Sequence, residues 1–173
     1  MGFGSIIAAM ISVAIIILAS YVCSNGGFYM ADGLANSVIE MQENKNEMLK
    51  TEIEVTNASI NTENMTALVS LQNTGSTKIG DFTYMDLIVT YKNESGDMKT
   101  IWIPYQEGEI RWTKGVIVPD LINPGIFDPG ENMKLQIWLD PSDPIENSNE
   151  NWFLVAAPNG IKASRYSEDN FSG

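Results

Sequence analysis

Four asparagines and one acidic stretch are the residues of this sequence whose types and spacing suit a recognisable chemistry. Each asparagine stands two positions before a serine or threonine without an intervening proline, which is the acceptor pattern for N-glycosylation. The four candidate sites are Asn57, Asn64, Asn93 and Asn170. Chance occurrence in an Asn-rich chain is the alternative, but four sites together favour a domain outside the cytoplasm.

The acidic stretch is residues 140–150, DPSDPIENSNE. Its carboxylate and amide oxygens are of the kind that Ca²⁺ binds, in sets of about six to eight. The spacing differs from that of an EF-hand, and the central glycine of that loop is missing. We therefore predict a solvated loop rather than a calcium site, and no cofactor.

Residues for catalysis are scarce. The chain contains no histidine, the commonest general base, and its one cysteine is Cys23. This composition excludes an intrachain disulfide and a Cys/His metal cluster. No nucleophile-and-base motif, Walker loop or dinucleotide fingerprint occurs, so we predict a protein that is not an enzyme. Composition alone leaves Ser–Lys, Thr and paired-carboxylate chemistry open.

The charge balance is strongly acidic, with 22 Asp and Glu against 10 Lys and Arg and a net charge of −12. Phosphate binding needs clustered basic residues, so we predict no nucleic-acid partner. An acidic surface keeps a domain soluble, and it also suits a basic partner such as a basic surface layer.

Residues 5–23, SIIAAMISVAIIILASYVC, contain no charged side chain. At about 1.5 Å per residue, a helix of this length spans about 28 Å, close to the hydrocarbon core of a bilayer. We predict a single-pass membrane anchor formed by Ile6, Ile7, Met10, Ile11, Val13, Ile15, Ile16, Ile17, Leu18 and Val22. A cleaved signal peptide fits less well, because residues 1–4 lack Lys and Arg and no clear cleavage site follows Tyr21. A buried core helix would need cover on every face.

A change of pattern follows the apolar segment. Residues 25–27, NGG, predict a hinge or kink, since each glycine costs a helix about 1 kcal/mol relative to alanine. Beyond them, helical spacing places four apolar residues on one stripe, which predicts an amphipathic stalk helix that ends near Lys50. The stripe is Leu34, Val38, Met41 and Met48. It either packs on the following domain or pairs with a second copy as a coiled coil, and Lys45 on the seam weakens the coiled coil.

From residue 51 onward, apolar residues alternate with polar ones, as in strands with one buried face. The predicted strands lie at residues 53–55, 67–71, 84–91, 99–103, 110–118, 133–139 and 152–157. Residues 73–76 and 93–97 are typical of hairpin connections, and the prolines and glycines of 119–130 indicate a longer crossing. The pattern predicts a mainly β fold, in which an N-terminal transmembrane α-helix is followed by an immunoglobulin-like antiparallel β-sandwich.

These elements predict three domains: the transmembrane helix over 1–24, the hinge and stalk helix over 25–50, and the extracytoplasmic sandwich over 51–173. The four tryptophans are Trp102, Trp112, Trp138 and Trp152. All lie on or beside predicted strands, so we predict that they pack between the two sheets. The alternative is an exposed aromatic platform that binds sugar.

Most of the chain loosely resembles proteins of the archaellum, the archaeal motility filament. The likeness rests on the uncharged start MGFG, the apolar helix behind it, and the segments LKTEIEVTNASI, LVSLQNTGSTKI, YMDLIVTY and INPGIFDPGENMKLQIWL. On these residues the chain resembles the FlaF family of accessory stator proteins, and it is also similar to FlaG, archaellins and type IV pilin-like proteins.

The resemblance implies a sandwich at the cell surface, anchored in the cell membrane, that works with a FlaG-like component to hold the motor against surface-layer protein. The implied partners are surface-layer protein, other archaellum components and membrane lipid, with self-association as a further option. The alternative is a filament subunit assembled through its N-terminal helix. Such subunits resemble pilins with a basic leader and an early acidic residue, whereas here no basic residue precedes Gly4 and the first acidic residue is Asp32.

Overall fold

The computed structural model describes residues 2–146 and 148–168. Over these ranges the chain forms one long helix, α1 (Phe3–Lys50), followed by eight strands. The strands are β1 (Ile53–Asn61), β2 (Thr66–Asn73), β3 (Asp86–Lys92), β4 (Met98–Ile103), β5 (Arg111–Val118), β6 (Asn132–Trp138), β7 (Trp152–Ala156) and β8 (Lys162–Tyr166).

The helix α1 is continuous over 48 residues, so the chain stays helical through residues 25–27, and the hinge or kink at those residues stays a prediction. Added side-chain carbons at Gly26 or Gly27 would meet nothing within 4 Å, so no close packing requires glycine there. No proline occurs in α1, and each glycine keeps its backbone N–H for the helical hydrogen bonds. The propensity cost of two glycines is therefore too small to end a helix of this length. The division of domains at residues 24 and 50 stays a prediction.

The strands form two four-stranded antiparallel sheets, which confirms the predicted fold class. Sheet 1 has the order β1-β2-β6-β5, and sheet 2 has the order β4-β3-β7-β8. The last strand, β8, is absent from the sequence-based prediction. Its sequence KASRY has none of the large branched residues that mark the other strands, and it forms because its backbone pairs with β7.

Alternation along the strands decides which side chains meet between the sheets. On β2, Ala67, Val69 and Leu71 are buried while the residues between them are partly exposed. The partner strand β6 has the same alternation, with Leu135 opposite Val69 in the register. Full burial of such a side chain stabilises the fold by about 1.5–3 kcal/mol. The core therefore depends on period-two patterning, as the sequence predicted.

One predicted hairpin connection is wrong. Residues 73–76 do not join neighbouring strands, because the chain leaves sheet 1 after β2 and enters sheet 2 at β3. Buried Asn73 holds this crossing: its Nδ2 donates to the carbonyl oxygens of Thr77 and Phe127 at 2.9 and 3.0 Å, and its Oδ1 accepts from the Gly75 N–H. The polar side chain thus stabilises a longer connection. The hairpin predicted at 93–97 does join β3 to β4.

The tryptophan prediction holds for one residue of four. Trp112 is fully buried, with its ring centroid 4.6 Å from that of Tyr105. Trp102 is 59% exposed, which corrects its assignment to the core, and Trp138 and Trp152 are half-buried. The physical reason is strand parity: a residue next to an inward-facing one must face outward, whatever its size.

Candidate membrane and contact surfaces

The apolar residues of α1 are exposed on every side of the helix. The predicted anchor side chains range from 44% exposure at Ile7 to 69% at Met10, and no residue of α1 is buried. This is the one helix among the described residues that is long and apolar enough to cross a membrane. A helix packed in a protein core would bury at least one face. Because α1 buries none of its residues, it does not fit the alternative of a buried core helix. The membrane anchor itself stays a prediction.

The predicted stalk stripe is also exposed. Leu34, Val38 and Met41 are 68, 50 and 60% exposed, and Met48 is 40% exposed. The spacing places them on one side of the continuous helix α1. They therefore form a surface suited to contacts, and the coiled-coil prediction stays open.

The outer face of sheet 2 carries a group of large apolar side chains, which we call the aromatic face. Its residues are Ile88, Met98, Trp102, Trp152, Leu154 and Tyr166. Strand register places Trp102, Ile88 and Leu154 in one row, and Trp152 beside Tyr166 in the next. This surface is absent from the sequence-based prediction. The signal for it lies in the isoleucines on both sides of Trp102: neighbouring residues of a strand face opposite sides, so inward-facing isoleucines place the tryptophan outward.

Among the described residues, the most exposed apolar side chains on the sheet 1 side of the sandwich lie at the β5 edge, which we call the aliphatic edge. Its residues are Val116 and Val118 on β5, and Leu121 and Ile122 in the loop that follows. Their exposed fractions lie between 57 and 81%. Exposed aliphatic residues that lie together on the surface of a folded domain are suited to contact with a partner.

The aliphatic edge lies on a strand that is distorted. The register of β5 against β6 shifts between Lys114 and Ile117, which is a β-bulge. An added side-chain carbon at Gly115 would come within 2.9 Å of the Lys134 carbonyl oxygen. The bulge therefore needs glycine, and it bends the edge so that Val116 is 69% exposed.

The acidic stretch 140–150 is held to sheet 2 by hydrogen bonds and is solvated only in part. Asp143 accepts hydrogen bonds from the Tyr91 hydroxyl at 2.7 Å, the Asn93 side-chain amide at 3.2 Å and the Lys99 ammonium at 2.7 Å. Asp140 accepts two from Ser142. These acceptor roles occupy the carboxylates within the chain. Among the described residues, no three acidic or cysteine side chains come together as a metal site.

These contacts change the acidity of the residues involved. The Lys99 ammonium, with the Tyr91 and Asn93 donors, lowers the pKa of Asp143 from its usual value to about 2. Burial raises the pKa of the Tyr91 hydroxyl, and its hydrogen bond to Asp143 raises it further. The hydrogen bond from Ser142 lowers the pKa of Asp140. Asp143 is therefore ionised at neutral pH and acts as a structural acceptor.

The four candidate glycosylation sites differ in accessibility. Asn57 and Asn64 are exposed, the first on the outer face of β1 and the second in the β1–β2 turn. Asn93 is buried, and its side chain bonds to Asp143 and to the Asp97 N–H, which counts against modification there. Asn170 lies outside the described residues. The sequence shows only the acceptor pattern, whereas the burial of each asparagine side chain decides whether solvent can reach it.

Comparison with known proteins finds similarity to one protein sequence and to two solved structures. An uncharacterized protein of Archaeoglobus fulgidus is 28% identical over 161 residues, which cover 93% of this chain and 92% of that protein. The archaellum periplasmic stator complex of FlaF and FlaG from Sulfolobus acidocaldarius is similar at 21% identity and a TM-score of 0.48, over 66% of this chain and 86% of the other. The FlaG stator protein from that organism is similar at 22% identity and a TM-score of 0.44, over 66% and 96%.

The family model for archaeal-type flagellin matches residues 2–166. This span includes α1 and runs to the end of β8, so both the apolar helix and the sandwich contribute to the match. The resemblance to archaellum proteins that the sequence motifs predict is thereby confirmed at the level of the family. The chain belongs to the archaeal-type flagellin family.

Proposed function

We propose that this chain is a membrane-anchored, extracytoplasmic component of the archaellum that works through protein contacts and not through catalysis. The observation that carries the proposal is α1, a helix of 48 residues with its apolar residues exposed on every side. At about 1.5 Å per residue it is about 72 Å long, more than twice the roughly 30 Å core of a bilayer. One part of the helix suits lipid, and the remainder suits contacts outside lipid.

Within the archaellum, the role we favour is that of a stator component that holds the motor against the surface layer. A stator has to be anchored in lipid and to grip a fixed partner, and α1 and the aliphatic edge supply surfaces for these two tasks. The exposed fractions of Leu121 and Ile122, 81 and 79%, support a partner contact at that edge. The net charge of −12 favours a basic surface layer.

Cosedimentation tests this role. The full chain in phosphatidylcholine nanodiscs is mixed with purified surface-layer sheets, and the bound fraction is measured after centrifugation. We expect the double variant Leu121→Ser, Ile122→Ser to bind at least about fivefold more weakly, the effect of losing a contact worth 1 kcal/mol. The control is Tyr84→Ser, which removes a side chain of 70% exposure outside both the aliphatic edge and the aromatic face. Absence of wild-type binding, or equal binding by the double variant, contradicts the stator role.

The second candidate is a filament subunit, favoured by the family match over 2–166 and by the exposed stripe on the second half of α1. In a filament, neighbouring helices would cover that stripe. Mass spectrometry of purified filaments separates the two roles. Many copies of this chain in filaments establish a subunit, whereas recovery only from membranes supports the stator component.

The outward location of the sandwich has its own test. We expect glycopeptide mass spectrometry of the native protein to find glycans on Asn57 and Asn64 and none on Asn93, because the Asn93 side chain is buried and bonded. The variant Asn57→Gln should lose the glycan at that position alone. An unmodified protein at both exposed sites counts against an extracytoplasmic sandwich.

A further inference from the structure

The aromatic face of sheet 2 has a fixed tryptophan ring at one side. The Trp102 Nε1–H donates to Asp86 Oδ1 at 2.9 Å, and the side chain is 59% exposed. The indole N–H is therefore already satisfied within the chain, and the hydrogen bond limits rotation of the ring. Trp102 can therefore contact a ligand through the face of its ring, and its N–H is not free to donate a hydrogen bond to that ligand.

A second aromatic pair lies on the other side of the same face. Trp152 and Tyr166 are direct register partners on β7 and β8, and Tyr166 is 60% exposed. The strands β4 and β7 are separated by β3 alone, so their axes are about 10 Å apart at the usual spacing of neighbouring strands. Trp102 and the Trp152–Tyr166 pair are therefore placed for one extended ligand rather than for a single small ring.

Polar groups accompany the rings. The hydroxyls of Thr90 and Thr100 lie between the two aromatic positions and bond to each other at 2.9 Å. Next to Tyr166, a surface recess is lined by Asn149 and Glu150 together with Met98. An apolar floor with a few placed hydrogen-bonding groups is the composition of a small-ligand site.

The charges around the aromatic face occur in both signs. The Lys92 ammonium pairs with the Glu146 carboxylate at 3.0 Å. Ala156 on β7 has Asp86 of β3 as its register partner on one side and Lys162 of β8 on the other. With Glu150 beside them, these charges are mixed in sign, whereas the whole chain has a net charge of −12. A face without one dominant sign favours an uncharged ligand over phosphate.

We propose that the aromatic face binds an uncharged oligosaccharide. Trp102 and Tyr166 stack on the faces of separate sugar rings, and Asn149 and Glu150 form hydrogen bonds with sugar hydroxyls. Sugars fit because they combine apolar C–H faces with many hydroxyls, which matches rings interleaved with polar groups. The proposal is independent of the stator role, because it concerns sheet 2 and not the aliphatic edge.

Saturation-transfer NMR on the full chain in phosphatidylcholine nanodiscs tests the proposal, with maltohexaose, cellohexaose and mannohexaose as probes. Nanodiscs avoid glycoside detergents, whose sugar heads would compete for the face. We expect at least one probe to receive saturation. Trp102→Ala and Tyr166→Ala should each weaken its binding about twofold to tenfold, the range for loss of one aromatic contact. Trp102→Phe, which keeps a ring, should retain binding.

The matched control is Trp138→Ala, which removes a half-buried tryptophan from sheet 1. Each variant is checked for an unchanged far-ultraviolet circular dichroism spectrum. Three results overturn the proposal: no transfer to any of the three hexasaccharides, equal binding by wild type and Trp102→Ala, or equal weakening by Trp138→Ala. Self-association that Trp102→Ala abolishes in sedimentation velocity also overturns it, because a second copy then covers the face.

Discussion

The two sheets of the sandwich have similar inner faces and different outer faces. On sheet 1 the outward residues of β1, β2 and β6 are mostly polar, as at Asn57, Ser70 and Gln136, and exposed aliphatic residues gather at the β5 edge. On sheet 2 aromatic side chains stand on the outer face itself, at Trp102 and Tyr166. Both inner faces are packed with fully buried aliphatic and aromatic residues.

This difference separates the demands of folding from those of binding. Folding requires only that inward positions be apolar, because their burial supplies most of the stabilisation. Outward positions are free of that demand, so apolar residues there lower solubility without strengthening the core. Their concentration at two separate places indicates two surfaces suited to contacts.

The largest expected effect contrasts inward and outward residues of sheet 2. Phe153→Ala should lower the free energy of unfolding by about 3–5 kcal/mol, because it leaves a cavity at a fully buried position. Trp102→Ala, although it removes a larger side chain, should change it by less than about 1 kcal/mol. Denaturant unfolding followed by circular dichroism measures both. Similar losses would show that the aromatic face is part of the core.

A smaller loss is expected at the bulge that shapes the aliphatic edge. Gly115→Ala should destabilise the sandwich by about 1–3 kcal/mol, since the new carbon would lie 2.9 Å from the Lys134 carbonyl oxygen and β6 cannot move without strain. The control is Gly80→Ala, where the new carbon meets Ile126 side-chain atoms at an ordinary 3.8 Å. Equal midpoints of thermal unfolding for the two variants would contradict a glycine requirement at the bulge.

Acid should weaken sheet 2 through Asp143. Its pKa is about 2 in the folded chain and near 3.9 in an unfolded one, so the unfolded chain binds the proton more tightly. The stability that Asp143 contributes is therefore complete above about pH 4 and is lost as the pH falls through about 2. Asp143→Asn should lower the urea midpoint at pH 6, and the difference from wild type should shrink between pH 4 and 2. Asp97→Asn serves as an exposed control, and a constant difference at all pH values would contradict the linkage.

The smallest expected effect on stability is at the aliphatic edge. Val118→Ser and Ile122→Ser should each change the free energy of unfolding by less than about 0.5 kcal/mol, because these side chains are 57 and 79% exposed. Urea unfolding of the two variants beside wild type provides the measurement. A loss above 1 kcal/mol would show that the edge packs within the chain and is not free for a partner.

The sequence alone predicted the strands whose apolar residues alternate, such as 84–91 and 133–139, and the structure confirms strands there. It could not predict β8, which pairs with β7 and lacks the large branched residues of the other strands. Propensity reports local preference, whereas a strand at the end of a sheet forms when a neighbour supplies hydrogen bonds. The same limit applies to residues 25–27, where the chain stays helical although Gly26 and Gly27 have low helix propensity.

Composition and periodicity by themselves determined that this chain has one apolar helix and a mainly β domain, because hydrophobic spacing is a local property of the residues. The tertiary structure alone decided which side each tryptophan occupies, that the Asn93 side chain is buried while Asn57 is exposed, and where Asp143 finds its three donors. These facts depend on residues far apart in the chain. Only the folded register brings them together, so no local pattern contains them.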